Sequence, residues 1–254
     1  MFDTSKIRTL IIYLLLITSL SSSQLYAQQA EVVWVEQNNE SQSIHISSFD
    51  GKRWTPPSTP LFESNNALSS VKLGTDSDGN KLMVWSEQII DKTALMFSQK
   101  KTNTPWVKAK VLYAAGSENY AGSIVFDSNN TGWFFWSFAD EQLADILYMR
   151  FINGKPSHAQ QLHDTNQVPD IHPVAGLDVN GNIEIIWTTY DLEKNRYVRT
   201  TKVIPINPQQ KLSFINHDEL KIEDIPIPNF IPNKALSLIH MPGIRMTQSA
   251  PVER

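Results

Sequence analysis

Cysteine is absent from the 254 residues, which excludes a disulfide framework, a thiolate metal site, a cysteine nucleophile and a lipid-modified cysteine. A basic excess is absent too. Against 26 Asp and Glu stand 22 Lys and Arg, a net charge of −4 with a pI near 5.9, so the chain has no field for displacing counterions from phosphates. Nucleic acid is not expected as a partner. No GxGxxG, Walker loop, HExxH or GxSxG is present, and the six histidines (45, 158, 163, 172, 217 and 240) stand singly without metal-ligand spacing. No cofactor and no metal site are therefore expected. With 41% hydrophobic residues the chain can still bury a sizeable core.

Long apolar runs are also missing beyond the first twenty residues. Lys6 and Arg8 precede an apolar stretch from Leu10 to Leu20, followed by Ser21-Ser22-Ser23-Gln24 and a small residue at Ala27. This is the layout of a secretory signal peptide over residues 1–27, with cleavage after Ala27 and Ala30 as the rival position. This stretch, 11 residues long from 10 through 20, falls short of the ~20 that cross a bilayer. The mature protein is expected to be secreted or periplasmic, without a membrane span. An exported chain lacking cysteine fits a bacterial envelope.

What the sequence does contain is a repeat. Trp34, Trp85, Trp136 and Trp187 are separated by 51, 51 and 51 residues, and the same step carries Asp76 to Asp127 to Asp178 and Gly79 to Asn130 to Gly181. Each unit reads as a β-rich run, a tight polar turn and a second β-rich run ending at the tryptophan. The aspartates accept bonds from backbone amides two residues on, while glycine or asparagine takes the left-handed conformation of a hairpin turn. A third run follows at Ser43–Ser47, Ala94–Ser98, Ile146–Phe151 and Tyr197–Val203, and a weaker fourth begins near Trp54, Trp106 and Pro156.

Four short antiparallel strands per period near 50 are the signature of a β-propeller blade, so the fold expected is all-β, a small propeller of about four four-stranded blades over residues 28–204. An all-β sandwich is the competing fold. The first unit lacks a strand before Val32-Val33-Trp34. Lys221–Ile227 or Ala235–Met241 is expected to supply it, since Leu238 falls 51 residues after Trp187. A second copy of the chain is the alternative. Residues 205–254 hold seven of the 14 prolines and read as closing strand and irregular tail, because proline cannot donate to a strand ladder.

These units resemble the repeats of the sialidase-like propellers, often labelled BNR repeats. The resemblance lies in Asp-Ser-Asp-Gly-Asn at 76–80 leading to Val84-Trp85, Asp-Val-Asn-Gly-Asn at 178–182 leading to Ile186-Trp187, and Phe49-Asp50-Gly51-Lys52-Arg53-Trp54. It covers roughly residues 30–204 and implies a propeller. The family's Asp-box has Ser, Asp, Gly and Trp at relative positions 0, 2, 4 and 7, whereas Ser48, Asp50, Gly51 and Trp54 stand at 0, 2, 3 and 6. The arginine trio of the sialidase enzymes has no counterpart here. Arg150 and Arg199 fall in third strands, so no catalytic residue is carried over.

The four tryptophans at one phase are expected to pack neighbouring sheets rather than stack on sugars. Asp76, Asp78 and Asn80 alternate like calcium ligands, but no distal glutamate completes a loop and the recurrence favours turn chemistry. Candidate binding residues follow each tryptophan, at one propeller face: Glu36, Glu87, Asp140, Glu141 and Asp191, joined by Tyr120, Asp170, His172 and Tyr190 on the same rim. Two functions follow. The first is an exported, non-catalytic propeller presenting a loop face to a carbohydrate or to a protein of the envelope or extracellular space. The second is a glycoside hydrolase using paired rim carboxylates.

Overall fold

The computed structural model describes residues 30–206, apart from 39, 57, 58, 141, 142 and 165, and the backbone of 237–240. The leader over 1–27, Glu141 and Lys221–Ile227 lie outside the described residues. Those described are all-β. The first sheet contains β1 (Ala30–Gln37), β2 (Gln42–Phe49) and β3 (Phe62–Ser64); the second β4 (Leu68–Thr75), β5 (Lys81–Ile89), β6 (Lys92–Lys100) and β7 (Lys110–Tyr113). The third contains β8 (Glu118–Phe126), β9 (Gly132–Asp140) and β10 (Leu143–Ile152), edged by β11 (Lys155–Pro156) and β12 (Gln160–Gln161); the fourth β13 (Asp170–Leu177), β14 (Ile183–Asp191) and β15 (Arg196–Ile204). The last strand, β16 (Ser237–His240), pairs antiparallel with β1 in the order β16-β1-β2-β3, Leu238 opposite Val33.

Each 51-residue step therefore produces one antiparallel sheet, and the turn chemistry explains why. At the first hairpin turn of the second sheet, Asp76 Oδ1 accepts from the N–H groups of Asp78 and Asn80 at 3.0 and 2.8 Å. Asp127 and Asp178 repeat the pattern with Asn129 and Thr131, and with Asn180 and Asn182. The left-handed positions are Gly79, Asn130 and Gly181, with φ of 78°, 57° and 79°. Burial and these bonds act oppositely on Asp178: burial pushes its carboxyl up, and the Asn182 and Asn180 donors more than offset this, holding it below 3.8.

The strand count differs from four per sheet. The third sheet has its outer edge split between β11 and β12, and the fourth sheet has three strands within the described residues. The edge expected to begin near Trp54 starts there as a single bridge to Phe49 and resumes only at β3. Outer strands of two to four residues carry too short an alternation to be placed from sequence.

The core lies between sheets. Val33, Ile44, Met83 and Trp85 fill the first seam, Leu82, Val84, Phe134 and Trp136 the second, and Phe135, Ile183, Ile185 and Trp187 the third. All four repeated tryptophans are buried, at 1%, 2%, 0% and 6% exposure. Each of the last three faces the sheet before its own. Aromatic partners come from the preceding sheet's outer edge: Phe62 stacked on Trp85 at 4.8 Å between ring centroids, and Tyr113 tilted against Trp136 at 5.2 Å. Trp133, which has no counterpart in the other units, is also buried, donating to Asp127 Oδ2 at 2.9 Å and lying under the Arg150 guanidinium.

Candidate functional site

The first strands of the second, third and fourth sheets lie side by side, β4 against β8 and β8 against β13. Each carries a register shift against its partner, between Ser69 and Lys72, Ala121 and Ser123, and Ile171 and Val174. At two of these bulges a residue other than glycine holds a left-handed backbone: Ser70 at φ 50° and His172 at φ 56°, two repeat steps apart. Such conformations cost on the order of 1 kcal/mol or more, and bulges re-aim side chains beside functional sites.

A serine column holds the bulges in place. Ser86 and Ser137 directly follow Trp85 and Trp136, and each hydroxyl accepts an N–H from the next sheet's first strand, from Ala121 and from His172, both at 3.0 Å. The third and fourth sheets are tied a second time by Ser123, whose hydroxyl accepts from the Ala175 N–H at 3.1 Å. Gly122 is required where the strands come closest. A Cβ there would stand 2.5 Å from Pro173 Cγ and 2.8 Å from the Pro173 carbonyl oxygen.

The bulges open a cleft of about 420 Å³. Its polar lining is Ser70 and Lys72 from β4, Glu118 and Tyr120 from β8, Ser137 from β9 and His172 from β13, over an apolar floor that includes Phe138, Ile171 and Pro173. Tyr120 is 41% exposed, and burial lowers the Lys72 ammonium below its usual value of 10.5. The cleft thus offers one open aromatic ring, one cation, one carboxylate, two hydroxyls and an imidazole. Such a set suits a polyhydroxylated or weakly anionic small molecule, within the size range of ligand pockets.

Of the nine candidates from the sequence, the cleft takes Tyr120 and His172. The candidate carboxylates go elsewhere. Glu87 accepts from Ser64 Oγ at 2.7 Å and Asn66 Nδ2 at 2.9 Å, and Glu36 lies 3.5 Å from His45 Nε2. Asp191 caps its own turn: the Lys194 ammonium, bonded at 2.7 Å, and backbone donors hold its carboxyl below 3.8. Tyr190 bonds Asn195 and meets Tyr197 edge-on, and Asp140 is exposed at the end of β9, helping burial to raise the Tyr113 hydroxyl. Asp170 corrects the rim expectation outright. It is 1% exposed and accepts the Trp187 indole N–H at 2.8 Å, as Asn119 accepts that of Trp136 at 3.1 Å one repeat earlier. Leu68 holds that phase in the second sheet, and the Trp85 indole N–H has no partner. Sequence reasoning missed Ser70, Lys72, Glu118 and Ser137. The Trp-Ser pair at 136–137, repeated from 85–86, is the one available signal, and it marks Ser137 alone.

No family model and no curated protein matches the chain. Among solved structures it is similar to an endo-arabinase from Bacteroides thetaiotaomicron, at 14% identity over 72% of this chain and 73% of the other, with a TM-score of 0.49. A thermostable family-43 glycoside hydrolase overlaps at 10% identity over 90% and 76%, with a TM-score of 0.49. A fucose lectin from Kordia zhangzhouensis overlaps at 14% identity over 54% and 98%, with a TM-score of 0.36. Overlaps at these identities assign neither an activity nor a ligand. Among the described residues no helix is long and apolar enough to cross a membrane.

Proposed function

We propose that this is an exported, non-catalytic carbohydrate-binding protein, its four sheets the blades of a small propeller completed by the C-terminal segment and its sugar site the bulge-lined cleft. The observation that carries the reading is the composition of that cleft: a half-open Tyr120 ring beside Lys72, Glu118, Ser70 and His172. An aromatic face with polar groups around it matches a sugar ring's apolar face and peripheral hydroxyls. Export rests on the leader at residues 1–27.

The hydrolase alternative needs two carboxyl groups about 5–9.5 Å apart across a glycosidic bond. Among the described residues Glu118 is the single carboxylate that lines the cleft, which favours binding over cleavage. The test is a glycan array run beside a panel of chromogenic glycosides. Binding without turnover is expected. Turnover abolished by Glu118→Gln or Glu87→Gln would replace this proposal with the enzyme.

A further inference from the structure

A second polar cluster, of residues that do not line the cleft, stands where the edge of the third sheet meets the fourth. Donor atoms of Asp145, His163 and Asp170 lie within 4.8 Å of one another. All three depart from the repeat. The ring that the preceding sheet's edge packs on Trp85, Trp136 and Trp187 runs Phe62, Tyr113, His163, the last stacked at 5.5 Å and 7°. The residue at the indole N–H phase runs Leu68, Asn119, Asp170, and Asp145 stands one repeat after Ala94. One unit has thus exchanged three neutral side chains for three metal-ligand types, and the fold brings them together.

Their hydrogen bonds fix the two carboxylates, Asp145 Oδ2 taking Gln161 Nε2 at 3.3 Å, and leave one buried nitrogen facing them. Asp170 Oδ1 takes the Trp187 indole N–H and Oδ2 takes Asn166 Nδ2, both at 2.8 Å, which fixes a buried carboxylate in place. Nδ1 of His163 lies 2.9 Å from the Asp164 carbonyl oxygen, and since a carbonyl only accepts, Nδ1 is a donor. Nε2 is buried, has no hydrogen-bond partner, and lies 3.5 Å from Asp170 Oδ2. An imidazole nitrogen and a carboxylate oxygen this close out of water call for positive charge between them, a ring proton or a metal ion. A backbone carbonyl on the far nitrogen is also how ligating histidines are ordinarily oriented.

We propose that Asp145, His163 and Asp170 bind a first-row divalent transition metal ion, with zinc as the representative, clamping the fourth sheet to the third. Two donors each about 2.1 Å from a tetrahedral zinc lie about 3.4 Å apart, close to the His163 to Asp170 separation. An imidazole with two carboxylates suits such an ion and balances its charge. The site is independent of the sugar reading, sharing no residue with the cleft.

The repeat supplies variants that keep the fold: His163→Phe and Asp170→Asn restore the side-chain types of the preceding sheets. Calorimetric titration of chelator-treated protein with zinc chloride at pH 7 should give one equivalent bound with micromolar or tighter affinity, a raised Tm, and weakening of more than about tenfold in both variants. Calcium and magnesium chloride should bind far more weakly. No stoichiometric zinc binding, undiminished binding by His163→Phe, or preference for calcium overturns the proposal. If a variant loses cooperative unfolding, nitrogen NMR of the wild type decides. Zinc must move the His163 Nε2 resonance, and an unmoved resonance overturns the proposal.

Discussion

Replacing Trp136 by alanine removes the side chain on which the second seam is built. The ring is fully buried, stacks on Phe134 at 5.4 Å and 10°, meets Tyr113 at 5.2 Å, and donates to Asn119 Oδ1 at 3.1 Å. A buried large aromatic reduced to alanine costs about 3–5 kcal/mol, because rigid neighbouring sheets cannot collapse into the cavity. Orphaning the buried Asn119 oxygen adds about 1 kcal/mol or more. The sum, about 5 kcal/mol, is a large share of the 5–15 kcal/mol typical of a domain. With a urea m-value of about 2 kcal/mol/M, the midpoint should fall by roughly 2.5 M. Trp85→Ala is the internal control: it opens a similar cavity on Phe62 but breaks no indole bond, so its loss should be smaller. Urea denaturation followed by circular dichroism reads both. A loss under 1 kcal/mol at Trp136, or the reverse order of the two variants, would refute the reasoning.

Three further outcomes are expected. Gly122→Ala should destabilise by about 1–3 kcal/mol and distort the cleft, because its Cβ would meet the Pro173 backbone at 2.8 Å; wild-type stability would show that the strands can part freely. Truncation before Lys221 removes β16 and leaves β1 an open edge, so the product should be insoluble or strongly destabilised, while loss of residues 246–254 should be tolerated; a monomeric, cooperatively unfolding long truncation contradicts closure by the tail. Asp178, held below 3.8, contributes stability above that pH that is lost as pH falls through its folded value, so Asp178→Asn should flatten the denaturation midpoint's decline between pH 5 and pH 2.5, and an unchanged slope would show that its turn bonds carry none of it.

The sheets were legible in the sequence because each repeat carries its own local instruction. An aspartate at one phase and Gly79, Asn130 or Gly181 three residues on determine the hairpin whatever the surroundings. The tryptophans announced the seams for a similar reason. The site was far less legible, because it is built where strands from successive repeats touch. Ser70 and His172 adopt left-handed backbones without being glycine, so nothing local marks them, and Lys72 reads as an ordinary mid-strand lysine until neighbouring strands bury it. The phase of Glu87 and Asp191 points to the rim, but sequence does not show their donors, which lie at Ser64, Asn66 and Lys194. The phase of Asp170 misleads in the same way. Comparison with Asn119 and Leu68 shows it to be the buried end of an indole bond. Asp145 and His163, 18 residues apart, become neighbours only through the path of the third sheet's edge.

The central claim is that the cleft between β4, β8 and β13 holds a sugar. It is tested most directly by titrating the best glycan from the array into wild-type protein, Tyr120→Ala and Lys72→Met under identical conditions, each variant first shown to unfold cooperatively. Saturable binding by the wild type, weakened at least about tenfold by Tyr120→Ala, on the scale of one lost aromatic stack, is the predicted result. Lys72→Met should bind more weakly too, while unfolding at a higher urea concentration because a half-buried charge has been removed. Wild-type affinity in both variants, or no glycan bound at all, would contradict the account.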